Sequence, residues 1–393
     1  MTWVIALFWF SSLCIVYTYA GYPLLLIAIS AAHQLSSDWR QTSSRGTRRV
    51  AAHGHLPRVA VLVAAFNEER HIAERVHNLL EQDYPADRLR IYVGSDASTD
   101  RSAEILRTID NARLTFVDFT ERRGKSSVVN DLAAMASEHI LVFTDANSMF
   151  QTDTVQKLVR HFDRPEVGCV CGELRLVSRS AEGENQDHVY WRYERLLKFF
   201  ESRIGALLGA NGGVYAVRRS DYASIPPDTI VDDFWISMQV VEAGYRCVYD
   251  PEAVATETIP ERISDESRRR VRIGMGNYQA LKRFAGLLDP RRGVIAFAFL
   301  SHKCLRWLVP HFMLLALLSN LLAAGRGIYA ALLAVQIVFY AAAGLGWWYS
   351  RRGVAPRLLR LPLFFVSMNV GLLIGFWRFA TRGTSGVWAR SAR

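Results

Sequence analysis

The sequence predicts an α/β domain built on a mostly parallel sheet, with α-helical transmembrane segments at both ends. Met1–Ser37 contains no Asp, Glu, Lys or Arg, and three more long apolar runs lie in the last hundred residues. Between them, apolar runs of strand length alternate with amphipathic helical patterns. This alternation is typical of a parallel sheet covered by helices.

The composition excludes several classes of protein. Half of the 393 residues are apolar, which excludes a disordered chain, and five cysteines are too few for a disulfide-stabilised scaffold. Lys and Arg exceed Asp and Glu by 47 to 37, which gives a formal charge of +10. The basic excess flanks the apolar runs and lacks interleaved aromatic residues. We therefore expect contact with a lipid bilayer and no nucleic-acid partner.

The first apolar run predicts a transmembrane helix over residues 1–35. It is longer than the roughly 20 residues that span a bilayer, and it lacks the basic start of a signal peptide. Residues 36–56 form a predicted basic linker with four Arg and one Asp. Positive charge marks the cytosolic flank of a span, so the globular domain, residues 57–288, is expected in the cytosol.

The C-terminal region predicts two further spans. Residues 289–305 predict an interfacial amphipathic helix, because a histidine and a lysine interrupt its apolar run. Residues 306–350 hold two uncharged runs and predict a transmembrane hairpin. In residues 351–393, the run Leu361–Trp377 could cross the bilayer, but the tail after it carries Arg and no acid. We expect an interfacial or re-entrant helix there, followed by a basic cytosolic tail, with a further span as the alternative.

In the central domain, polar residues follow the predicted strands. We expect strands over residues 58–65, 89–95, 114–118 and 139–144, and helices over residues 68–81, 99–108 and 124–136. The loop Ala64–Glu68, with Phe66 and Asn67, follows the first strand, and Asp96 follows the second. Parallel sheets bind ligands at the carboxyl ends of their strands. Helix capping by Asn67, Ser98 and Asp100 is the alternative.

The next motifs suit phosphate and metal. Lys125 begins the third helix, where an ammonium group would match a diphosphate; a solvated lysine is the alternative. Asp145 and Asn147 follow the fourth strand, and their oxygens could meet one Mg2+ or Mn2+ ion. A tight turn stabilised by the same two side chains is the alternative.

Three more motifs lie further along the chain. Asn211-Gly212-Gly213 either lets a ligand approach the backbone or forms a plain turn. Asp232 and Asp233 begin an amphipathic run, either as complements of a helix dipole or with one of them as a general base. Arg268–Arg272 could contact phosphates or anionic lipid.

In their order and spacing, these motifs resemble the membrane-integrated branch of the family 2 inverting glycosyltransferases, which have a GT-A fold and include hyaluronan, chitin and cellulose synthases. The matching segments are VAVLVAAFNEE at Val59–Glu69, GSDASTD at Gly94–Asp100, RRGKSSVVN at Arg122–Asn130, FTDAN at Phe143–Asn147, GANGGVYAVRR at Gly209–Arg219, VDDF at Val231–Phe234, GYRCVYDPEA at Gly244–Ala253, RRRVRIGMGNYQAL at Arg268–Leu281 and the terminal GVWARSAR.

The resemblance implies a role for each candidate residue. It implies that a nucleotide-sugar donor, expected to be a UDP-sugar, is bound by Ala64, Phe66, Asn67, Glu68, Asp96, Lys125, Asp145, Arg269 and Arg272. It implies Asp145 and Asn147 as ligands of Mg2+ or Mn2+, and Asp233 as the base that deprotonates the acceptor. It places on the acceptor side Asn211, Gly212, Gly213, Asp232 and Trp388, with Glu257 near the site.

The implied reaction is a metal-dependent single displacement that transfers a hexosyl or N-acetylhexosaminyl group to a polysaccharide or a lipid-linked acceptor. The resemblance also implies a multi-pass protein of the bacterial inner membrane, with a cytosolic catalytic domain and partner subunits for export. Asn147 replaces a usual second acid, and Ile273 replaces the aromatic residue that usually follows Arg272. These departures leave open a non-catalytic member that binds nucleotide sugar or synthase subunits.

Overall fold

The computed structural model describes residues 1–43, 56–177, 184–258, 263–353 and 355–383. These residues group into two compact units, one containing residues 1–28, 184–194 and 263–383, the other residues 29–177 and 195–258. Residues 263–288, which the sequence assigns to the central domain, thus group with the apolar helices.

The helices are α1 (Thr2–Val16), α2 (Tyr22–Ser43), α3 (Ile72–Leu80), α4 (Ser102–Thr108), α5 (Lys125–Met135), α6 (Thr154–Val159), α7 (Glu184–Arg203), α8 (Asp232–Glu242), α9 (Ile263–Arg283), α10 (Val294–Ala298), α11 (Leu305–Ala323), α12 (Ile328–Ser350) and α13 (Arg357–Arg382).

The second unit is built on one sheet, which has eight strands among the described residues. They are β1 (Val59–Ala65), β2 (Leu89–Asp96), β3 (Leu114–Phe119), β4 (Ile140–Asp145), β5 (Ser148–Phe150), β6 (Val167–Val177), β7 (Tyr215–Arg218) and β8 (Arg246–Thr258). Their order is β3-β2-β1-β4-β7-β6-β8-β5. The first four strands pair in parallel, as do β6 and β8, whereas β7 is antiparallel to β4 and β6, and β5 to β8. The predicted α/β class is confirmed, and the sheet is mixed.

The core explains why these residues form a sheet with helices against it. Six of the seven residues of β1 are buried, as expected for a strand covered on both faces. Ile72, Val76 and Leu79, on one face of α3, pack in the same apolar cluster as Val61 and Val63 of β1. The parallel register brings the carboxyl ends of β1, β2 and β4 side by side, since Ala64 pairs with Gly94 on one side and with Asp145 on the other.

The first unit contains the apolar helices. Among the described residues, four helices are long and apolar enough to cross a membrane: Thr2–Ser36, Val294–Ala323, Ile328–Ser350 and Arg357–Arg382. A π-helical turn, Phe299–Cys304, joins α10 to α11 without a break, so a single helix covers much of the predicted interfacial segment and the first half of the predicted hairpin. Whether α13 crosses the bilayer or lies at its surface stays a prediction.

Glycines set the packing of α9 on α13 in this unit. An added Cβ at Gly375 would lie 2.7 Å from the Met275 backbone nitrogen and 2.8 Å from Gly274 Cα. An added Cβ at Gly371 would lie 3.1 Å from Arg270 Cβ. Arg270 also donates a hydrogen bond of 2.9 Å to Ser367 Oγ. The two helices therefore approach each other closely, backbone against backbone.

Candidate active site

The loops after β1 and β2 are joined by hydrogen bonds. Asn67 Oδ1 accepts from the Thr99 N–H at 2.7 Å, and the Glu68 N–H donates to Ser102 Oγ at 2.7 Å. Asn67 has a φ of 55°, a left-handed conformation that asparagine adopts more readily than most residues. Asn67 therefore bridges two loops instead of capping a helix, and α3 begins only at Ile72. Capping by Asn67, the alternative considered from sequence, is wrong.

Phe66 and Asp96 both contact the segment Arg122–Gly124, which precedes α5. The guanidinium carbon of Arg122 lies 3.6 Å from the centre of the Phe66 ring. Asp96 is buried, and its two carboxylate oxygens accept from the N–H groups of Arg123 at 2.7 Å and Gly124 at 2.9 Å. Asp96 thus fixes the turn that places Lys125 at the start of α5. Its contact with a nucleoside stays a prediction.

Lys125 joins two separate parts of the sheet edge. Its Nζ lies 2.7 Å from Asp145 Oδ1, at the end of β4, and 3.0 Å from Asp232 Oδ2, at the start of α8. Burial alone would lower the pKa of Lys125, but Asp145, Asp232 and Asp233 outweigh it and raise that pKa above its ordinary value. Lys125 is therefore a permanent cation among three carboxyl groups.

Asp233 has the protonation chemistry of a general base. Burial and the neighbouring Asp232 raise the pKa of Asp233 to about 6, although Lys125 and a 2.7 Å hydrogen bond from the Phe234 N–H oppose the rise. A carboxyl group that titrates near neutral pH can hold a proton transiently and release it, which general-base catalysis requires.

The turn between β4 and β5 carries both candidate metal ligands. Asn147 Nδ2 donates to Glu257 Oε1 at 3.1 Å, which leaves the amide oxygen of Asn147 for other ligands. Glu257 is buried on β8 and pairs in register with Ser148. Among the described residues, no group of three or more His, Cys, Asp or Glu side chains could hold a metal ion. Asp145 and Asn147 therefore fit a hard cation only if it takes further oxygens from a ligand, as Mg2+ commonly does from phosphates.

The glycines of the Asn211–Gly213 loop make room for protein side chains. An added Cβ at Gly212 would lie 3.1 Å from Asp233 Oδ2, and one at Gly213 would lie 2.6 Å from Ser148 Oγ. Asn211 Nδ2 donates to the Gly172 carbonyl at 2.8 Å, and its Oδ1 accepts from Lys198. The loop therefore packs directly against the candidate base.

One buried charge was missed by sequence reasoning. Arg75 on α3 has no exposed surface, and its guanidinium donates to Thr144 Oγ1, next to Asp145, at 2.8 Å. Burial lowers the pKa of Arg75 to about 9, and Asp145 opposes this, so the side chain remains a cation at neutral pH. The available signal was an arginine at a position of α3 where the helical period places an apolar residue.

Three candidates cannot be placed against this site. Arg269 and Arg272 lie on α9, which belongs to the other unit, and Trp388 lies outside the described residues. Their roles stay predictions. The other sequence candidates all lie in the unit that holds the sheet, and Lys125, Asp145, Asp232 and Asp233 form its charged centre.

Comparisons with known proteins find a matching family model and similar curated proteins. The family model of glycosyl transferase family 2 matches residues 60–223. The chain is similar to a poly-beta-1,6-N-acetyl-D-glucosamine synthase of Staphylococcus aureus, with 27% identity over 234 residues, 58% of this chain and 56% of that protein. It is also similar to an N-acetylglucosaminyltransferase of Rhizobium meliloti, with 28% identity over 237 residues and 55% of each chain. These alignments thus span about half the length of the curated relatives.

A solved structure shares the fold over nearly the whole chain. It is the mannosyltransferase PcManGT from Pyrobaculum calidifontis, in complex with GDP-Man and Mn2+. The similarity covers 95% of this chain and 99% of that one, with a TM-score of 0.69 and 24% identity. At this level of identity the similarity establishes the fold.

Proposed function

We propose that the chain, whose residues 60–223 match the family model of glycosyl transferase family 2, is a membrane-bound inverting glycosyltransferase. It would move a sugar from a nucleoside diphosphate donor to a polysaccharide or a lipid-linked acceptor. The observation that carries this proposal is the position of the Lys125 ammonium group, 2.7 Å from Asp145 and 3.0 Å from Asp232. It draws together the candidate metal ligand and the acidic pair that contains the candidate base.

Each side chain has a distinct part in the proposed reaction. Asp145 and Asn147 would hold Mg2+ or Mn2+, which would neutralise negative charge on the departing diphosphate. Lys125 would add a second positive charge to the same phosphates. Asp233 would accept the proton of the acceptor hydroxyl as it attacks the anomeric carbon from the face opposite the diphosphate. A single displacement inverts that carbon, so an α-linked donor would give a β-linked product.

The relatives suggest which donors to test first. The curated relatives are named for N-acetylglucosamine, and the structural relative was solved with GDP-Man and Mn2+. We propose a UDP-sugar as the donor, with a GDP-sugar as the first alternative. We also propose that the apolar helices anchor the protein in a membrane, with the N-terminus outside and the sheet unit in the cytosol.

Nucleotide release from purified protein tests this function. The full chain, in detergent with added membrane lipid, should release UDP from UDP-N-acetylglucosamine or GDP from GDP-mannose when Mg2+ or Mn2+ is present. A chelator should stop the release. Asp233→Asn should reduce turnover by about 100- to 10,000-fold and leave nucleotide affinity nearly unchanged.

Two outcomes would change the assignment. If a broad donor panel gives no nucleotide release although the protein binds a nucleotide sugar, the chain is a non-catalytic binding member of the family. If Asp233→Asn retains full turnover, another group is the base. Product length, measured on a gel of labelled glycans, separates a polymerase from an enzyme that adds one sugar.

A further inference from the structure

Arg75 is a charge in an apolar core. It lies on the same face of α3 as Ile72, Val76 and Leu79, and all four side chains are fully buried. Within the described part of the chain its hydrogen bonds go to uncharged side chains, and its Nε has no partner. Burying a charge in this way opposes folding unless its contacts compensate. Those contacts therefore indicate what the residue does.

The contacts of Arg75 hold both ends of the turn Thr144–Phe150, which carries the two candidate metal ligands and is called the metal-ligand turn below. Nη2 donates to Thr144 Oγ1 at 2.8 Å, and Nη1 donates to Asn78 Oδ1 at 2.6 Å. Asn78 in turn bonds the backbone of Phe150, accepting from its N–H at 2.9 Å and donating to its carbonyl at 2.8 Å. The guanidinium carbon also lies 4.2 Å from the centre of the Phe150 ring. Asp145 and Asn147 lie between these two fixed ends.

The Thr144 hydroxyl extends this connection in a defined direction. A guanidinium group can only donate hydrogen bonds, so Thr144 Oγ1 must accept from Arg75. Its single proton is then available for the Gly213 carbonyl, which lies 2.7 Å away. Gly213 belongs to the loop that packs against Asp233 and Ser148. One chain of hydrogen bonds thus connects Arg75, the metal-ligand turn and the acceptor-side loop.

We propose that Arg75 is a positioning residue of the donor site. It fixes the Thr144–Phe150 turn, so that Asp145 and Asn147 present their oxygens to one cation, and it ties this turn to the Asn211–Gly213 loop. The proposal rests on the proposed glycosyltransferase function. It also accounts for a turn with one acidic ligand: because Asn147 is a weaker ligand than a carboxylate, metal binding depends more on how well the turn is held.

Paired variants of the full chain test this role. Arg75→Met removes the charge and both donors, Arg75→Lys keeps the charge, Thr144→Val breaks the connection at nearly constant shape, and Thr144→Ser restores the hydroxyl. Arg160→Met is the stability control, because Arg160 pairs with the buried Asp250 through two hydrogen bonds of 2.9 Å at a separate site. The measurements are the affinity for Mn2+ in the presence of UDP or GDP, by calorimetry or electron paramagnetic resonance, and Tm in detergent.

We expect Arg75→Met and Thr144→Val each to weaken Mn2+–nucleotide binding by about tenfold or more. The double variant should be little worse than the weaker-binding single variant, because both break one connection. Thr144→Ser should recover most of the affinity, and Arg160→Met should lower Tm alone. Folded Arg75→Met or Thr144→Val protein with wild-type Mn2+–nucleotide affinity would overturn the proposal. Wild-type protein that binds no nucleotide and releases none would overturn the proposed function instead.

Discussion

At the scale of single residues, the charge on Lys125 opposes the rise in the pKa of Asp233. Burial and Asp232 raise the pKa of Asp233 to about 6, and Lys125 lowers it. A general base works only when deprotonated, so activity should rise with pH through this pKa. The bound cation and the diphosphate carry opposite charges, so we expect their joint effect on this pKa to be small.

Lys125→Met should therefore move the acidic limb of the pH profile to higher pH. Removing the ammonium group removes the favourable interaction with the Asp233 carboxylate, and a larger fraction of Asp233 is then protonated at any given pH. The measurement is kcat/KM from pH 4.5 to 9 by a stopped nucleotide-release assay. The quantity compared between variants is the pH at the midpoint of the acidic limb, and not the maximal activity. Lys125→Arg keeps the charge and should shift the limb less. If the limb does not move, Asp233 is not the group whose ionisation produces it.

Residues differ in how far the sequence reveals them. The positions of Asp145, Lys125 and Asp233 could be predicted because each lies at a recognisable strand end or at the start of a helix, and their roles stay predictions. The role of Asp96 in fixing the Arg123–Gly124 turn could not, because it depends on two backbone N–H groups 27 and 28 positions away. Arg75 was hidden for a related reason, since its partner Thr144 is 69 positions away.

At the scale of elements, the loop Asn211–Gly213 contains glycines because neighbouring side chains leave little room for a Cβ atom. Neither Gly212 nor Gly213 has a positive φ, so both could be replaced on conformational grounds. An added Cβ at Gly212, however, would lie 3.1 Å from Asp233 Oδ2, closer than is usual between such atoms. The side chain of the candidate base would have to move by a few tenths of an ångström.

Gly212→Ala should consequently lower kcat more than it lowers nucleotide affinity. The displaced carboxylate would no longer be aligned with the acceptor hydroxyl, and loss of alignment is costly for catalysis. Steady-state kinetics together with nucleotide binding separates the two effects. Gly286→Ala is the control, because nothing lies within 4 Å of its added Cβ. Equal losses in both variants would argue against a close contact with Asp233.

Close packing of α9 on α13 gives a second prediction at this scale. Gly375→Val should lower the Tm of the detergent-solubilised protein, by an equivalent of about 1–3 kcal/mol, because backbone atoms of Gly274 and Met275 cannot move aside for a side chain. Gly344→Val on α12 is the matched control, since its added Cβ meets nothing within 4 Å. Similar Tm values for the two variants would contradict the packing.

Elements near the start of the sheet were predicted well, and later ones poorly. The strands β1 to β4 begin and end within a residue of expectation because continuous apolar runs define them. Helix α3 begins at Ile72, four residues late, since the residues after β1 bond to the neighbouring loop. The antiparallel pairing of β7 with β4 and β6 was not foreseen, because the pairing partners lie far apart in sequence and no turn signal links them.

At the scale of the whole molecule, the open question is the environment of α13. Its length and composition would allow it to cross a membrane. Its middle, however, packs on α9, which carries six Lys and Arg residues. Arg270 contacts Ser367, Gly274 contacts Gly375, and the rings of Tyr278 and Phe376 are 5.0 Å apart. A helix packed along a strongly basic partner is unlike a lipid-surrounded span, because charge is costly in the bilayer core.

We therefore expect the chain to return to the cytosolic side after α13, as its basic tail also predicts. Fusions of a reporter that is active on one side of the membrane, placed after Arg326, Gly353 and Gly383, test this in cells. The turn after Arg326 should be external, and the positions after Gly353 and Gly383 should be cytosolic. An external signal at Gly383 with a cytosolic signal at Gly353 would show that α13 crosses. The packing of α9 on α13 would then place six basic residues beside a true span, and the interfacial interpretation of α13 would fail.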